Sequence, residues 1–232
     1  MDILSNPIQK SQLHLYPFKH ILIPNFFTDT FVIPLKKDIE VLEKSGNFRS
    51  YKSNFGEKRE WKIFPEELEA LHILEKFLGS QDLIDALSKV FSLPTESKLS
   101  LDNTYDGGGY VISPPNSFLG YHADFNYSSA IKKYRILNIL YYFNENYQSN
   151  FGGHLHLLDA ESKTVEKIVK PEFNTLLAFL TDDVSFHGVS RNSNEFSRRS
   201  FNIYYYSDQP LSPNQSLEPH KTLWVKDDSH HH

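Results

Sequence analysis

Three residues of metal-binding type, His122, Asp124 and His187, carry the strongest chemical signal in the chain. Side chains alternate between the two faces of a strand, so His122 and Asp124 point the same way while Tyr121 and Ala123 lie behind them. Two ligands spaced in this way can hold one ion without distorting the backbone. His187 follows much later in the chain, and a rolled-up sheet brings such distant strands together.

The chemistry of this donor set indicates iron. Two imidazoles and one carboxylate on one face of an octahedron leave three positions open, which suits an Fe(II) ion that binds a co-substrate and O2 together. A structural zinc site would close its positions with protein ligands. A single histidine in a half-buried strand is more often a hydrogen-bonded core residue than a ligand. The prediction therefore depends on the three residues together and on the segment that follows them.

An arginine just beyond His187 is a candidate anion anchor. The segment RRSFNIYYY at 198–206 is aromatic enough to be a buried strand, and a buried arginine needs an anion. One face of this strand carries four polar side chains, those of Arg198, Ser200, Asn202 and Tyr204. The guanidinium fork matches a carboxylate, and Ser200 can donate a further hydrogen bond to that anion. An edge arginine paired with an acid such as Glu195 is the alternative. Arg199 faces the other way, so we expect it to be structural.

Length and composition fit a globular protein of one domain. The 232 residues are 39% hydrophobic, 23% charged and 14% aromatic, and the aromatic fraction favours β-rich packing. A formal net charge of -5 argues against a broad nucleic-acid-binding surface. Cysteine is absent, which excludes disulfides, thiolate metal sites and a cysteine nucleophile. The absence of cysteine also fits a reducing compartment, so we expect a cytoplasmic location.

The first residues of the chain do not have the pattern of a secretory signal. The first residues lack a basic segment followed by an apolar run, and no stretch of the chain approaches the ~18 apolar residues of a membrane helix. We therefore expect no secretory signal and no membrane partner. Residues 229–232 include His230–His232, which we interpret as a possible tag remnant and exclude from site reasoning. Nothing in the sequence indicates the oligomeric state.

The hydrophobic pattern divides the chain into a helical and a β-rich part. Residues 18–27 predict a strand followed by a turn. Three helices are expected next, and they should end at Gly46, at Gly79 and before Pro94. The second should begin at about Pro65, and Ser80 should cap the third. Residues 47–63 show no period. Six short strands follow, which indicates a sandwich or barrel of the jelly-roll kind; they are expected at 110–112, 120–125, 135–143, 154–159, 174–180 and 198–206. Residues 207–228 are expected along the surface.

Several smaller features accompany this pattern. Three consecutive glycines, Gly107 to Gly109, predict a mobile lid beside the strand before His122, and are not a phosphate loop because no Gly-Lys-Ser/Thr follows. The basic and aromatic stretch 48–63 could receive an anionic or extended partner, or be a solvated loop. Gly152-Gly153 predicts a tight turn, and His154 and His156 are expected to face outward. Asp182 or Asp183 could orient an imidazole, with a solvated turn as the alternative.

Taken in order, these motifs resemble the prolyl-4-hydroxylase-like branch of the Fe(II)/2-oxoglutarate-dependent dioxygenase superfamily. The family pattern is HxD, a strand ending in Tyr-Leu-Asn, a GGxLxL segment, a distal histidine, and an arginine that opens the last core strand. The corresponding segments here are YHADF, LYYFNEN, GGHLHLLD, SFHGV and RRSFNIYYY. The segment HLYPFKHILIPNFF also resembles the first strand of many bacterial and viral members. The resemblance covers residues 14 to 206, and the ordered set is more specific than any one motif.

The resemblance implies a fold and a domain organisation. The fold class would be α+β, mainly β, with a double-stranded β-helix (jelly roll) core and N-terminal helices packed on one sheet. One oxygenase domain would span residues 1–228, with an annex of a strand and helices at 1–100, the core at 101–206 and a C-terminal extension at 207–228.

The resemblance also assigns roles to individual residues. It implies that His122, Asp124 and His187 bind Fe(II), that Arg198 binds the distal carboxylate of 2-oxoglutarate, and that Tyr142 adds a hydroxyl contact. Asn138 and Asn202 would line the same pocket. The implied activity is hydroxylation of a substrate C–H by O2, coupled to the decarboxylation of 2-oxoglutarate, with ascorbate as a candidate reductant.

Other interpretations stay open at this point. The substrate could be a peptidyl proline, a free amino acid, a sugar-linked compound or another small molecule. A cupin-like binding protein without turnover would explain the three metal ligands but would not explain a role for Arg198. A zinc hydrolase would need a nearby general base, and none is evident beside the HxD motif. A non-catalytic member of the fold is the last alternative, and the intact ligand set argues against it.

Overall fold

The structure is a computed structural model that describes residues 3–94 and 96–225. Seventeen helices and strands follow one another in it, besides two short 3-10 turns at Ile8–Lys10 and Ser149–Phe151. They are β1 (His20–Ile23), α1 (Asp29–Lys44), β2 (Arg49–Ser53), β3 (Gly56–Trp61), α2 (Glu69–Leu78), α3 (Gln81–Val90), β4 (Ser100–Leu101), β5 (Gly109–Ser113), β6 (Leu119–Ala123), β7 (Tyr127–Ser128), β8 (Lys133–Tyr142), β9 (Leu155–Leu158), β10 (Val165–Val169), β11 (Thr175–Leu180), β12 (His187–Val189), β13 (Arg198–Ser207) and β14 (Leu223–Trp224).

The three predicted helices are confirmed, and local signals explain their ends. Helix α1 stops just before Gly46, whose φ of 71° is left-handed and disfavours any residue with a side chain. Helix α3 begins after Ser80, whose hydroxyl accepts a hydrogen bond from the Leu83 amide. Helix α2 begins at Glu69, later than expected from Pro65, because residues 65–68 form a turn closed by the Leu68 amide and the Pro65 carbonyl.

The strands form one antiparallel sheet that folds over on itself. Its order is β1-β11-β8-β13-β5-β3-β6-β12-β9-β10. Strands β3 and β6 share a single residue pair, Gly56 with Leu119, so the sheet bends there into two walls. Side chains from both walls pack together between them, among them Leu140 and Leu177 from one and Leu157 from the other. This arrangement is the predicted jelly roll.

The helices cover the outer face of the larger wall. In β8 and β13, every second side chain points away from the space between the walls. These outward side chains, such as Tyr141 and Ile203, pack with the buried residues of the helices in a separate hydrophobic cluster. The Tyr205 hydroxyl donates a hydrogen bond to the carbonyl of Leu78 at the end of α2. The prediction of N-terminal helices packed on one sheet is therefore confirmed. The inner face of the same wall is left free to carry the candidate site.

Residues 47–63 are a β-hairpin, which the sequence did not predict. Strands β2 and β3 pair along their whole length, and β3 extends the larger wall by pairing with β5. Most of β2 is exposed and highly charged, so it shows no alternation of apolar and polar residues. Pairing with a neighbouring strand, rather than burial of one face, makes these residues a strand.

Close packing and backbone conformation explain the three glycines Gly107 to Gly109, and the mobile lid that they would allow stays a prediction. A Cβ on Gly108 would lie 2.4 Å from the carbonyl oxygen of Asn202, and one on Gly109 would lie 2.3 Å from that of Trp61. Gly107 and Gly109 also have positive φ angles. Gly108 and Gly109 are required because the chain passes close to the backbones of β13 and β3 at these positions.

The C-terminal extension is tied to the core more firmly than a surface tail. The buried side chain of Gln215 donates a hydrogen bond to the Arg135 carbonyl, and β14 pairs with β6 beside His122. Residues 226–232, including His230–His232, lie outside the described residues. Among the helices that the structure does describe, none combines the length and apolar character needed to cross a bilayer.

Candidate metal centre

His122, Asp124 and His187 come together between the two walls of the jelly roll. His122 in β6 and His187 in β12 are direct partners across the strand pair, and Asp124 follows the end of β6. One ligand atom from each of the three residues lies within 4.8 Å of the others, and all three are buried. The Asp124 Oδ1 lies 3.4 Å from the His122 Nε2, and the Asp124 Oδ2 lies 4.0 Å from the His187 Nε2.

Backbone carbonyls fix the orientation of both imidazoles. The Nδ1 of His122 is 2.8 Å from the Gly120 carbonyl oxygen, and the Nδ1 of His187 is 2.9 Å from that of Ser185. A carbonyl can only accept, so each Nδ1 must be the donor, and each Nε2 keeps a free lone pair directed at the centre. Both rings are therefore oriented as metal ligands.

The local charges favour the protonation states that a metal needs. Burial alone would raise the pKa of Asp124, but the Arg135 guanidinium and then the two histidines hold this pKa well below its usual range. Burial and then the nearby His122 lower the pKa of His187 to about 4. At neutral pH Asp124 is thus an anion and His187 a neutral imidazole, both ready to bind a cation.

Arg135 is the residue of this site that the sequence analysis missed. It is fully buried in β8, and its Nη1 lies 3.2 Å from the Asp124 Oδ2. The rings of Phe125 and Tyr204 sandwich the guanidinium at 3.6 and 3.8 Å. Asn138 donates to the same Oδ2 at 3.3 Å. Arg135 is the first residue of the apolar run RILNILYYF, and a charge in such a run requires a buried partner. This pattern could have identified Arg135 from the sequence as a residue of the site.

Arg198 lies on the inner face of the larger wall, where the strand alternation predicts it. Its Nη2 donates to the Tyr142 hydroxyl and its Nη1 to the Ser200 hydroxyl, both at 3.3 Å. Its side chain is buried, and no carboxylate of the described residues forms an ion pair with it. The alternative pairing with Glu195 is therefore not formed, and Glu195 is exposed. Burial raises the pKa of Tyr142 although Arg198 opposes this, so its hydroxyl stays protonated.

Arg199 has the structural role expected of it. Its Nε lies 2.8 Å from the Oε1 of Glu43 in α1, and its Nη2 lies 3.2 Å from the Oε2. This contact fastens the first helix to the outer face of the sheet. Asn202 and Tyr204 lie on the opposite face with Arg198, and the Asn202 Oδ1 is buried without a hydrogen-bond partner. One face of β13 thus packs against the helices, and its other face carries residues of the candidate site.

The remaining sequence candidates lie around this centre without contacting the ligand atoms. The Asp182 carboxylate accepts from the Ser212 hydroxyl at 2.7 Å, and Asp183 lies 2.9 Å from the Nε2 of His220. The interpretation of either aspartate as a partner of the His187 ring is wrong, because the Ser185 carbonyl fills that role; Asp182 is also buried rather than solvated.

The glycine and histidine predictions around β9 agree with the structure. Gly152 and Gly153 adopt positive φ in the turn before β9. In β9, Leu155 is buried, whereas His154 just before the strand and His156 within it are half-buried on the outer side.

The residues present fit both an iron ion and 2-oxoglutarate. Three hard or borderline donors converge from one side, as an open metal site requires. A buried guanidinium without a counter-anion stands on the same inner surface, with two hydroxyl groups beside it. Such a charge is costly to bury unless a ligand anion completes it. Fold and site together define a metal-dependent oxygenase of the jelly-roll class.

A family model matches the part of the chain that carries the candidate site. Residues 107–206 match the model of the 2OG-Fe(II) oxygenase superfamily, and this segment holds all three candidate ligands and Arg198. A search of curated proteins gives no significant match. The segment that carries the candidate site therefore resembles this superfamily, and the protein is an oxygenase that uses Fe(II), 2-oxoglutarate and O2. The binding-protein and zinc-hydrolase interpretations are therefore not supported.

Solved structures with the same fold include several prolyl hydroxylases. A Pseudomonas putida prolyl-4-hydroxylase is 20% identical with a TM-score of 0.61, over 82% of this chain and 92% of that one. A Trichoplax adhaerens prolyl hydroxylase, solved with a peptide fragment of the hypoxia inducible factor oxygen degradation domain, is 21% identical with a TM-score of 0.60, over 82% and 84%. The viral collagen prolyl hydroxylase of Paramecium bursaria Chlorella virus-1, solved with 2-oxoglutarate, is 16% identical with a TM-score of 0.53, over 81% and 95%.

Proposed function

We propose that this oxygenase couples the oxidative decarboxylation of 2-oxoglutarate, to succinate and CO2, with hydroxylation of a C–H bond in a peptidyl proline. The observation that carries the co-substrate part is the unpaired, buried Arg198 on the same inner surface as the His-Asp-His cluster. A buried guanidinium without a carboxylate partner favours the binding of an anionic ligand. The similarity of fold to prolyl hydroxylases supports the choice of proline.

In this proposal His122, Asp124 and His187 hold Fe(II) through the two Nε2 atoms and one carboxylate oxygen. The hydrogen bonds of both Nδ1 atoms keep the rings in place. Arg135 and Asn138 hold the Asp124 Oδ2, which leaves Oδ1 for the metal. The protein thus orients each donor before the ion arrives.

The distal carboxylate of 2-oxoglutarate binds Arg198 in this proposal. The guanidinium donates to it, and the hydroxyl groups of Tyr142 and Ser200, which now accept from Arg198, rotate to donate to the same anion. Asn138 and Asn202 line the space between this anchor and the metal. The apolar residues of both walls, such as Leu140 and Leu157, exclude water from it.

The chemistry itself comes from the bound groups: Fe(II), 2-oxoglutarate and O2 together supply the oxidant. The protein needs no nucleophile, which agrees with the absence of cysteine. We also propose that residues 1–228 form one domain. The helices share a continuous hydrophobic cluster with the larger wall, which supports this.

Two measurements test the proposed function. Anaerobic addition of 2-oxoglutarate to the Fe(II)-loaded protein should give a weak metal-to-ligand charge-transfer band in the visible. A screen of proline-containing peptides, free amino acids and sugar-linked compounds, followed by succinate release, should then show stimulation by the peptides. A protein with confirmed iron but no band would contradict the co-substrate assignment. Stimulation by another compound class alone would contradict the proline assignment.

A further inference from the structure

The β2–β3 hairpin presents charged side chains toward the active site. Residues directly opposite each other in an antiparallel pair share a face. Glu60 is opposite Val111 of β5, and Val111 is opposite Ser200 of β13, so Glu60 and Ser200 face the same way. Two strand spacings separate them, about 10 Å. Arg49 is opposite Glu60 across the hairpin and shares this inner face.

Positive charge exceeds negative charge on this face of the hairpin. The side chain of Glu60 is only 7% exposed, and its Oε2 lies 2.9 Å from the Lys58 Nζ, so Lys58 already neutralises it. The Lys62 Nζ lies farther from the same carboxylate, at 3.4 Å. Arg49 is exposed, and within the described part of the chain its side chain has no hydrogen bond or ion pair. Arg49 is therefore available to an incoming anion, and Lys62, which shares the single Glu60 carboxylate with Lys58, adds positive charge that Glu60 does not fully neutralise.

These two cations line a cavity of about 900 Å³. Its opposite wall comes from the loop between β4 and β5 and carries the exposed, acidic Asp106. Lys58 beside the cavity and Tyr204 of the active site both donate to the Gly107 carbonyl, at 3.0 and 3.1 Å. The ring of Tyr204 in turn stacks on Arg135, which bonds the candidate ligand Asp124. A chain of contacts thus links the edge of the cavity to the metal centre, and the cavity volume falls in the range of small-molecule sites.

We propose that this cavity binds a carboxylate of the substrate through Arg49 and Lys62. The inference rests on the proposed function and narrows the substrate to compounds that bear an acidic group near the oxidised carbon. A guanidinium fork and a flexible ammonium suit a carboxylate. The buried Glu60 holds Lys62 near the cavity, while Asp106 opposes the bound anion. Two sources of the carboxylate are possible, an acidic side chain of a peptide and the carboxylate of a free amino acid.

The test compares matched probes and variants by succinate release. The probes are three proline-containing peptides that differ only in one residue beside the proline, Glu, Gln or Lys, together with free proline and free glutamate. The variants are Arg49→Ala, Lys62→Ala and Asp106→Asn. Lys52→Ala is the control, because Lys52 lies on the outer face of the same hairpin, 77% exposed and paired with Glu57. Thermal unfolding of each variant checks that it folds.

For the peptide source, the wild-type KM should be about fivefold lower with the Glu probe than with the Gln probe. For the free amino acid source, free proline or glutamate should stimulate succinate release instead. The preference should be lost in Arg49→Ala and Lys62→Ala, increase in Asp106→Asn and persist in Lys52→Ala. The inference would be overturned by equal KM values for the Glu and Gln probes if the free amino acids also fail to stimulate succinate release. It would also be overturned if the preference for the Glu probe survives in both Arg49→Ala and Lys62→Ala. The charge-transfer band separates the two possible failures. If the wild type shows the band but has no preference for an acidic probe, only the carboxylate site is contradicted. If the wild type shows no band, the proposed use of 2-oxoglutarate is contradicted.

Discussion

The guanidinium of Arg135 and the carboxylate of Asp124 form a buried ion pair, with 3.2 Å between Nη1 and Oδ2. The pair turns the other carboxylate oxygen, Oδ1, toward His122. Strand β8 supplies the arginine, and the residue just past β6 supplies the aspartate. A candidate metal ligand is thus oriented by a side chain from the opposite wall of the jelly roll.

The first prediction concerns this pair. Arg135→Met keeps the volume but removes the charge, and we expect the affinity for Fe(II) to fall about 10- to 100-fold because Asp124 loses its orientation. The metal-free protein should also lose about 3 kcal/mol of unfolding free energy, since a buried carboxylate remains unpaired. Metal titration and urea unfolding measure the two effects. Lys133→Ala, at the partly exposed start of the same strand, is the control. Unchanged metal affinity would show that Arg135 does not position Asp124.

The second prediction separates the two adjacent arginines. Arg198→Ala should weaken 2-oxoglutarate binding at least 100-fold, because the co-substrate carboxylate loses its buried cation. Arg199→Ala should leave that binding within about twofold and instead lower the unfolding temperature, because the Glu43 contact is lost. The charge-transfer band, titrated with 2-oxoglutarate, reports the first effect, and thermal unfolding reports the second. The reverse ranking would show that the anchor is misassigned.

The third prediction tests the proposed ligands. His122→Ala should abolish succinate formation and reduce the bound iron, because only two donors remain. His154→Ala changes a half-buried histidine beside β9 that does not face the centre, so it should retain both. Iron content after gel filtration and succinate release are the measurements. Full activity in His122→Ala would exclude His122 as a ligand.

The fourth prediction uses two glycines with similar backbone angles. Gly153 and Gly46 have φ of 68° and 71°. A Cβ on Gly153 would lie 2.6 Å from the Asn192 Oδ1 and 3.4 Å from the Arg198 Cδ, whereas one on Gly46 would have nothing within 4 Å. Gly46→Ala should therefore cost about 1 kcal/mol of unfolding free energy from backbone strain alone.

Gly153→Ala should cost about 2–4 kcal/mol, since a steric clash adds to the same strain. It should also weaken 2-oxoglutarate binding, because the clash is with Asn192 and Phe196, and a shift of these side chains would disturb the neighbouring Arg198. Chemical denaturation of both variants gives the comparison. Equal losses in the two variants would mean that the turn before β9 yields easily and does not support the arginine.

Much of this protein is determined by local sequence. The helix ends follow from Gly46, Gly79 and the cap Ser80, because glycine and capping groups act within one turn of their own position. The division of Arg198 and Arg199 between two faces follows from strand alternation, which is a property of the extended backbone. The order of the motifs also indicated the family. That residues 1–228 form a single domain stays a prediction.

Other features exist only once the chain has folded. The β2–β3 hairpin has no local period, because pairing at the edge of the larger wall makes it a strand. Gly108 and Gly109 suggested a mobile lid in the sequence. In the fold, glycine is required at both positions because a side chain there would clash with a neighbouring backbone. The partner of Arg135 and the position of β14 beside His122 depend on strands far apart in the chain. Local residue types determine which groups can do the chemistry, whereas long-range contacts determine which of them meet, because those contacts join residues that no sequence window contains.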